Sequence, residues 1–133
     1  MKYESFLGSV SQRASIPSDQ ADRATRATLE TLAERLTSGE TLDLAAQLPK
    51  PMAAALRPPT EEAQTFGGEE FIRRVATRYG TDERHAKGVV RAVFATLREA
   101  VSSGEFDDVL AQLPRDFCDM INLAGSRVNL DRR

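Results

Sequence analysis

Two pairs of carboxylates, Glu40 with Asp43 and Glu105 with Asp108, recur at the same three-residue spacing in this 133-residue chain. On a helix that spacing puts both side chains on one face, where two carboxyl groups could act as acid and base. The segments that carry them, SGETLDLAAQLP at 38–49 and SGEFDDVLAQLP at 103–114, place them in the first turn of a short helix. Negative charge is favoured there by the helix dipole, which accounts for the pairs without catalysis. His85 and Cys118 are each the only residue of their kind. A zinc site needs several nitrogen or sulfur ligands at ordered spacing, and a nucleophile pair would need the two brought together from separate segments. His85 reads as a solvated helix residue and Cys118, beside Phe117, as a small core filler. Gly67-Gly68 lacks the spacing of a phosphate-binding loop. The sequence therefore predicts no catalytic residue, no metal ligand, no cofactor and no enzymatic activity.

Two arginines stand in unusual places. Arg13 follows Val10 by three residues and Phe6 by seven, at the end of an apolar stripe, and Arg78 stands likewise to Val75 and Phe71. A guanidinium on a core-facing edge needs a partner. Glu40, Asp43, Glu105 and Asp108 are the expected partners, in a structural ionic network with Arg13 and Arg78 that locks a first helix to a third; the functional alternative is an anion site. A further constellation, Ala27-Thr31-Glu34 and Ala92-Thr96-Glu99, has i, i+4, i+7 spacing away from the main apolar stripe of a long helix. Such a small-residue edge suits close helix contact, either between two parts of this chain or with a partner chain.

These constellations come in pairs because the chain is written twice. A shift of 65 positions superimposes Glu4, Phe6, Val10, Arg13, Arg26, Thr31, Glu34 and the Ser-Gly-Glu and Ala-Gln-Leu-Pro segments on identical residues, the pattern of an internal duplication. Each copy predicts four helices. The first carries Phe6, Leu7 and Val10, or Phe71, Ile72 and Val75, at helical spacing. The second and longest runs from about Pro17 to Thr37 and from about Asp82 to Ser102, with Thr81 as a candidate N-cap and Gly39 and Gly104 as C-terminal stops. Its apolar face is alanine-rich in one copy and richer in valine and phenylalanine in the other. The third is the acidic-start helix, and Pro49 and Pro114 open the fourth, through Leu56 and Ile121. The expected organisation is all-α: residues 1–56 as one repeat, 57–68 as a linker, 69–123 as the second repeat and 124–133 as a flexible tail. The two tandem four-helix units, each short, long, short, short, are expected to pack as one pseudo-two-fold domain.

Eighteen basic and twenty acidic residues leave a net charge of −2, which gives no global attraction to nucleic acid or anionic lipid. A single cysteine forbids an intrachain disulfide, the N-terminus has Glu4 where a signal peptide would be apolar, and no run is long enough to span a membrane. A cytoplasmic setting without membrane attachment is expected. Residues 66–100 are locally basic, with Arg73, Arg74, Arg84, Lys87 and Arg91 as a candidate patch. That patch and the long-helix, turn, short-helix order permit a helix-turn-helix reading. Against it, the would-be recognition helix begins with acidic residues, so nucleic acid is not the favoured partner.

With the Ser-Gly-Glu…Asp…Ala-Gln-Leu-Pro segment ending both copies, and each copy opening on Phe followed by Val four residues later, the chain resembles a bacterial family of small duplicated helical proteins, domain-of-unknown-function family 2267. The resemblance covers residues 2–121. It implies an all-helical fold and a bacterial cytoplasmic setting, and carries no substrate, cofactor or catalytic residue. The expected function is a non-catalytic module that binds another protein or a second copy of itself.

Overall fold

In a computed structural model, residues 1–57 and 62–120 are described, and they form eight helices. In order these are α1 Tyr3–Ala14, α2 Ser18–Arg35, α3 Ser38–Ala46, α4 Lys50–Ala55, α5 Gly68–Tyr79, α6 Glu83–Ala100, α7 Ser103–Ala111 and α8 Arg115–Met120. Their lengths run 12, 18, 9 and 6 residues, then 12, 18, 9 and 6 again. No strand occurs among the described residues, and none of their helices is long and apolar enough to cross a membrane.

The long helices α2 and α6 form the centre. Each is buried along several sides, with Ala21, Ala24, Thr28, Leu29 and Leu32 of α2 and Ala86, Val90, Val93, Phe94 and Leu97 of α6 all inside. The first helix of each half crosses to the other half: α1 packs on α6 as well as α2, and α5 on α2 as well as α6. α3 meets α7, while α4 closes over α2 and α8 over α5. The halves fill their interiors differently. Phe71, Phe94 and Phe117 form an aromatic cluster with centroids 4.5 to 6.3 Å apart, where the matching N-terminal positions hold Phe6, Leu29 and Met52.

The helix ends correct several expectations. α2 and α6 stop at Leu36 and Val101 in extended conformation, not at Gly39 and Gly104, which lie inside α3 and α7. The stop is set by the next helix: Thr37 and Ser102 must be extended to cap it, and their side chains accept hydrogen bonds from the Glu40 and Glu105 amides. Left-handed termini occur instead after the first helix of each half, at Ser15 (φ 56°) and Gly80 (φ 91°). The cap of α6 is Asp82, whose carboxylate accepts from the His85 amide, so Thr81 lies outside the helix.

The expected linker is partly built into the fold. Its residues 58–61 lie outside the described residues, as do Ile121 and the expected tail. On its return, Gln64 donates its amide to the Glu34 carbonyl at 2.8 Å, satisfying one of the carbonyls left open at the end of α2. Gly68 is already the first residue of α5, and it sits so close to α8 that a Cβ there would lie 2.8 Å from the Phe117 Cα.

Candidate functional site

Arg13 and Arg78 do not reach the acidic helices. Arg78 extends from the last turn of α5 to α2, donating to the Thr31 hydroxyl at 2.7 Å and to both carboxylate oxygens of Glu34 at 2.9 and 2.6 Å. Arg13 does the same from α1 to α6, donating to the Thr96 hydroxyl at 2.9 Å and to Glu99 at 2.5 Å. Thr31 and Thr96 in turn donate to the Ala27 and Ala92 carbonyls one turn earlier. The two arginines and the Ala-Thr-Glu constellations are therefore one device, used in both directions between the halves. The partner assignment made from sequence fails because helical periodicity fixes the face an arginine occupies but not which helix lies opposite. The crossing of α1 onto α6 and of α5 onto α2 decides that.

The conserved spacing of the Ala-Gln-Leu-Pro segments has a second use. Gln47, just past the end of α3, accepts a hydrogen bond from the Ser102 amide at 2.8 Å through its side-chain carbonyl, and its amide group reaches the Ser102 hydroxyl at 3.4 Å. Gln112 repeats both contacts on Thr37, at 2.9 and 3.4 Å. Sequence reasoning did not find these four residues, although Gln47 and Gln112, and Thr37 and Ser102, are 65 positions apart. In a capping box the third residue of a helix reaches back to the cap amide. Here glutamine from the other half takes that amide, and the glutamates at the third position are released.

Released, Glu40 and Glu105 turn to each other. Both are buried, 9% and 8% exposed, where α3 meets α7, and their carboxyls are hydrogen-bonded together. Burial pushes the Glu40 carboxyl up to about 8, with the bond to Glu105 and the negative charges of Glu105, Asp108 and Asp43 adding to the shift. Burial therefore favours the protonated form of Glu40. One oxygen of each glutamate, Oε2, is buried with no hydrogen-bond partner among the described residues. One oxygen each from Glu40, Asp43 and Glu105 can be found within 4.8 Å of the others, with Asp43 at the exposed side. Among the described residues no ion pair reaches Glu40, Asp43, Glu105 or Asp108. The carboxylate pairs are thus more than first-turn residues: the glutamate of each is drawn into a shared buried site.

The remaining candidates are placed apart from this junction. Arg74 is engaged by Glu70 at 2.9 Å, Glu34 at 3.0 Å and Gln64 at 2.9 Å, and lies 3.8 Å over the Phe66 ring. Arg73 pairs with Glu70 and stands 3.8 Å from Glu83. Arg91 donates to the Met120 carbonyl at 3.3 Å, and Arg84 and Lys87 line a shallow depression together with Glu69, Glu83, Ile72 and Met120. The stretch that is basic in sequence is interleaved with carboxylates in space. His85 is exposed, its ring nitrogen 2.9 Å from the Asp82 carboxylate, whereas Cys118 is buried in α8.

The family model described as "Uncharacterized conserved protein (DUF2267)" matches residues 3–120. No curated protein matches the chain. A match over that span, which takes in every helix among the described residues, places the chain in that family: the protein belongs to DUF2267.

Proposed function

We propose that the protein is a non-catalytic helical interaction module of the bacterial cytoplasm, built by tandem duplication of a four-helix unit and folded about a pseudo-two-fold axis that runs between α3 and α7. It presents this rigid platform to another protein or to a second copy of itself. The repeated helix lengths and the reciprocal clamps support the duplication. The observation that carries the functional reading is the direction of the repeated polar chemistry: Arg13, Arg78, Thr37, Ser102, Gln47 and Gln112 all point across the internal boundary and hold the halves together. Some outward-facing positions have diverged. Leu42 on α3 is 70% exposed, and its counterpart on α7 is Asp107. A single exposed leucine is ordinary on a protein surface, so Leu42 serves here as the position at which the reading is probed, and the inward direction of the repeated polar groups carries it.

Sedimentation velocity combined with affinity capture tests the reading. Self-association, or a reproducible partner, that is lost in Leu42→Asp while the helical spectrum stays unchanged supports it. A strictly monomeric protein without a reproducible partner contradicts it. The alternative, nucleic-acid binding through α6 and α7, has less support, because Arg73 and Arg74 already have carboxylate partners and α7 opens on Glu105. A gel shift at low salt that weakens with added salt would favour that alternative.

A further inference from the structure

We propose that the α3–α7 junction is a binding site for one hard divalent cation, held by Glu40 and Glu105 with Asp43 at its solvent side and Asp108 close by. Several independent features point there. Glu40 and Glu105 are each more than nine-tenths buried, and each keeps an oxygen that no group among the described residues satisfies. A buried carboxylate oxygen without a partner is costly, and a cation removes that cost for both at once. Neither glutamate serves its own helix cap, since Gln112 and Gln47 hold the Thr37 and Ser102 amides. Among the described residues no ion pair reaches either glutamate, and Arg78 and Arg13 pair instead with Glu34 and Glu99.

The donor set selects the ligand class. The three oxygens lie within 4.8 Å of one another, and ligands about 2.0–2.6 Å from a central ion span roughly that distance. All are carboxylate oxygens, without nitrogen or sulfur, which suits Mg2+, Ca2+ or Mn2+ rather than Zn2+ or Cu2+. Exposed Asp43 supplies an entry side, and waters would complete the coordination shell. Because Glu40 belongs to α3 and Glu105 to α7, the ion would tie the two halves together where the cap contacts already meet.

The test is titration of the full chain, first stripped with chelator, with MnCl2, CaCl2 and MgCl2 separately, followed by calorimetry and by the free-Mn2+ resonance signal. One ion per chain is expected for at least one of the three metals, with a rise in melting temperature of several degrees at about a hundredfold excess over the dissociation constant. Asp43→Asn leaves the buried pair intact and should weaken binding at least about tenfold. The Glu40→Gln, Glu105→Gln double variant should abolish binding and the metal-dependent rise in melting temperature. No binding of any of the three ions at millimolar concentration overturns the proposal. So does binding that persists undiminished in the double variant and in Asp43→Asn, which would mark an adventitious surface site.

Discussion

The Arg78 and Arg13 clamps use the same residue types at matching positions, yet they differ in depth. Arg78 grips Glu34 with two nitrogens, and the Glu34 side chain is only 12% exposed. Arg13 meets Glu99 through one nitrogen, and the Glu99 side chain is 52% exposed. The difference comes from what surrounds the clamp. Around Glu34 the returning linker adds Gln64 and Phe66, and α5 adds Arg74, whose counterpart in α1 is Ser9. Two identical motifs thus acquire different energies because one is covered and the other is left at the rim. Exposed ion pairs contribute little to stability, while a partly buried carboxylate with two arginine partners loses much when any partner goes.

The same contrast extends to the interiors, where the largest effect is expected. Phe94→Ala should destabilise the protein by about 3–5 kcal/mol, because it opens a cavity between Phe71 and Phe117. Leu29→Ala, at the matching buried position, should cost less, about 2–4 kcal/mol, since fewer atoms are lost. Denaturant unfolding of the two variants gives the comparison directly, and equal losses would mean that the aromatic cluster adds nothing specific. At the clamps, Glu34→Ala should cost about 2 kcal/mol, leaving Arg78 and Arg74 without their shared acceptor, and Glu99→Ala less than about 1 kcal/mol.

Acidity separates the clamp from the junction, with opposite signs. The Arg78 hydrogen bond, followed by that of Arg74, holds the Glu34 carboxyl below its ordinary range against the opposing effect of burial. Its contribution is present above the ordinary carboxyl pKa and is lost as pH falls through the lowered value. Glu40 titrates the other way. With divalent cations removed, its contribution is fully present below the ordinary carboxyl pKa and is lost as pH rises towards about 8. The groups that set this shift are Glu105 and Asp108 on α7 and Asp43 on α3. Unfolding measured in chelator from pH 5 to 9 should show stability declining with pH, and Glu40→Gln with Glu105→Gln should flatten the decline.

Smaller effects lie at the helix ends. Ser15 occupies the left-handed position that Gly80 fills in the other half, so Ser15→Gly should stabilise by up to about 1 kcal/mol. Gly39 sits inside the first turn of α3 with nothing within 4 Å of an added Cβ. Gly39→Ala should therefore gain about 0.5–1 kcal/mol, whereas Gly68→Ala should destabilise, since its Cβ would meet the Phe117 backbone.

Local features were legible in the sequence. Phe6 with Val10 and Phe71 with Val75 announced their helices, and the prolines at 49 and 114 opened short ones, because periodicity and backbone restriction act within a few residues. What depended on topology was not legible. The spacing of Arg13 points to the acidic helices because nothing in it reveals that α1 lies on α6. Gly39 and Gly104 looked like stops because a glycine after a long apolar pattern usually is one; here the capping needs of Thr37 and Ser102 end the helices earlier. The burial of Glu40 against Glu105 follows from a contact between helices 65 residues apart, and only the paired recurrence of Gln47 and Gln112 hinted at what frees them.

The interlocking of the halves is tested most directly by double-mutant cycles on Arg78 with Glu34 and on Arg13 with Glu99, read from denaturant unfolding. A coupling of about 1.5 kcal/mol is expected for the partly buried pair and less than about 0.5 kcal/mol for the exposed one. No coupling between Arg78 and Glu34 would contradict the crossed packing on which the rest depends, and a larger coupling between Arg13 and Glu99 would contradict the difference in depth between the two clamps.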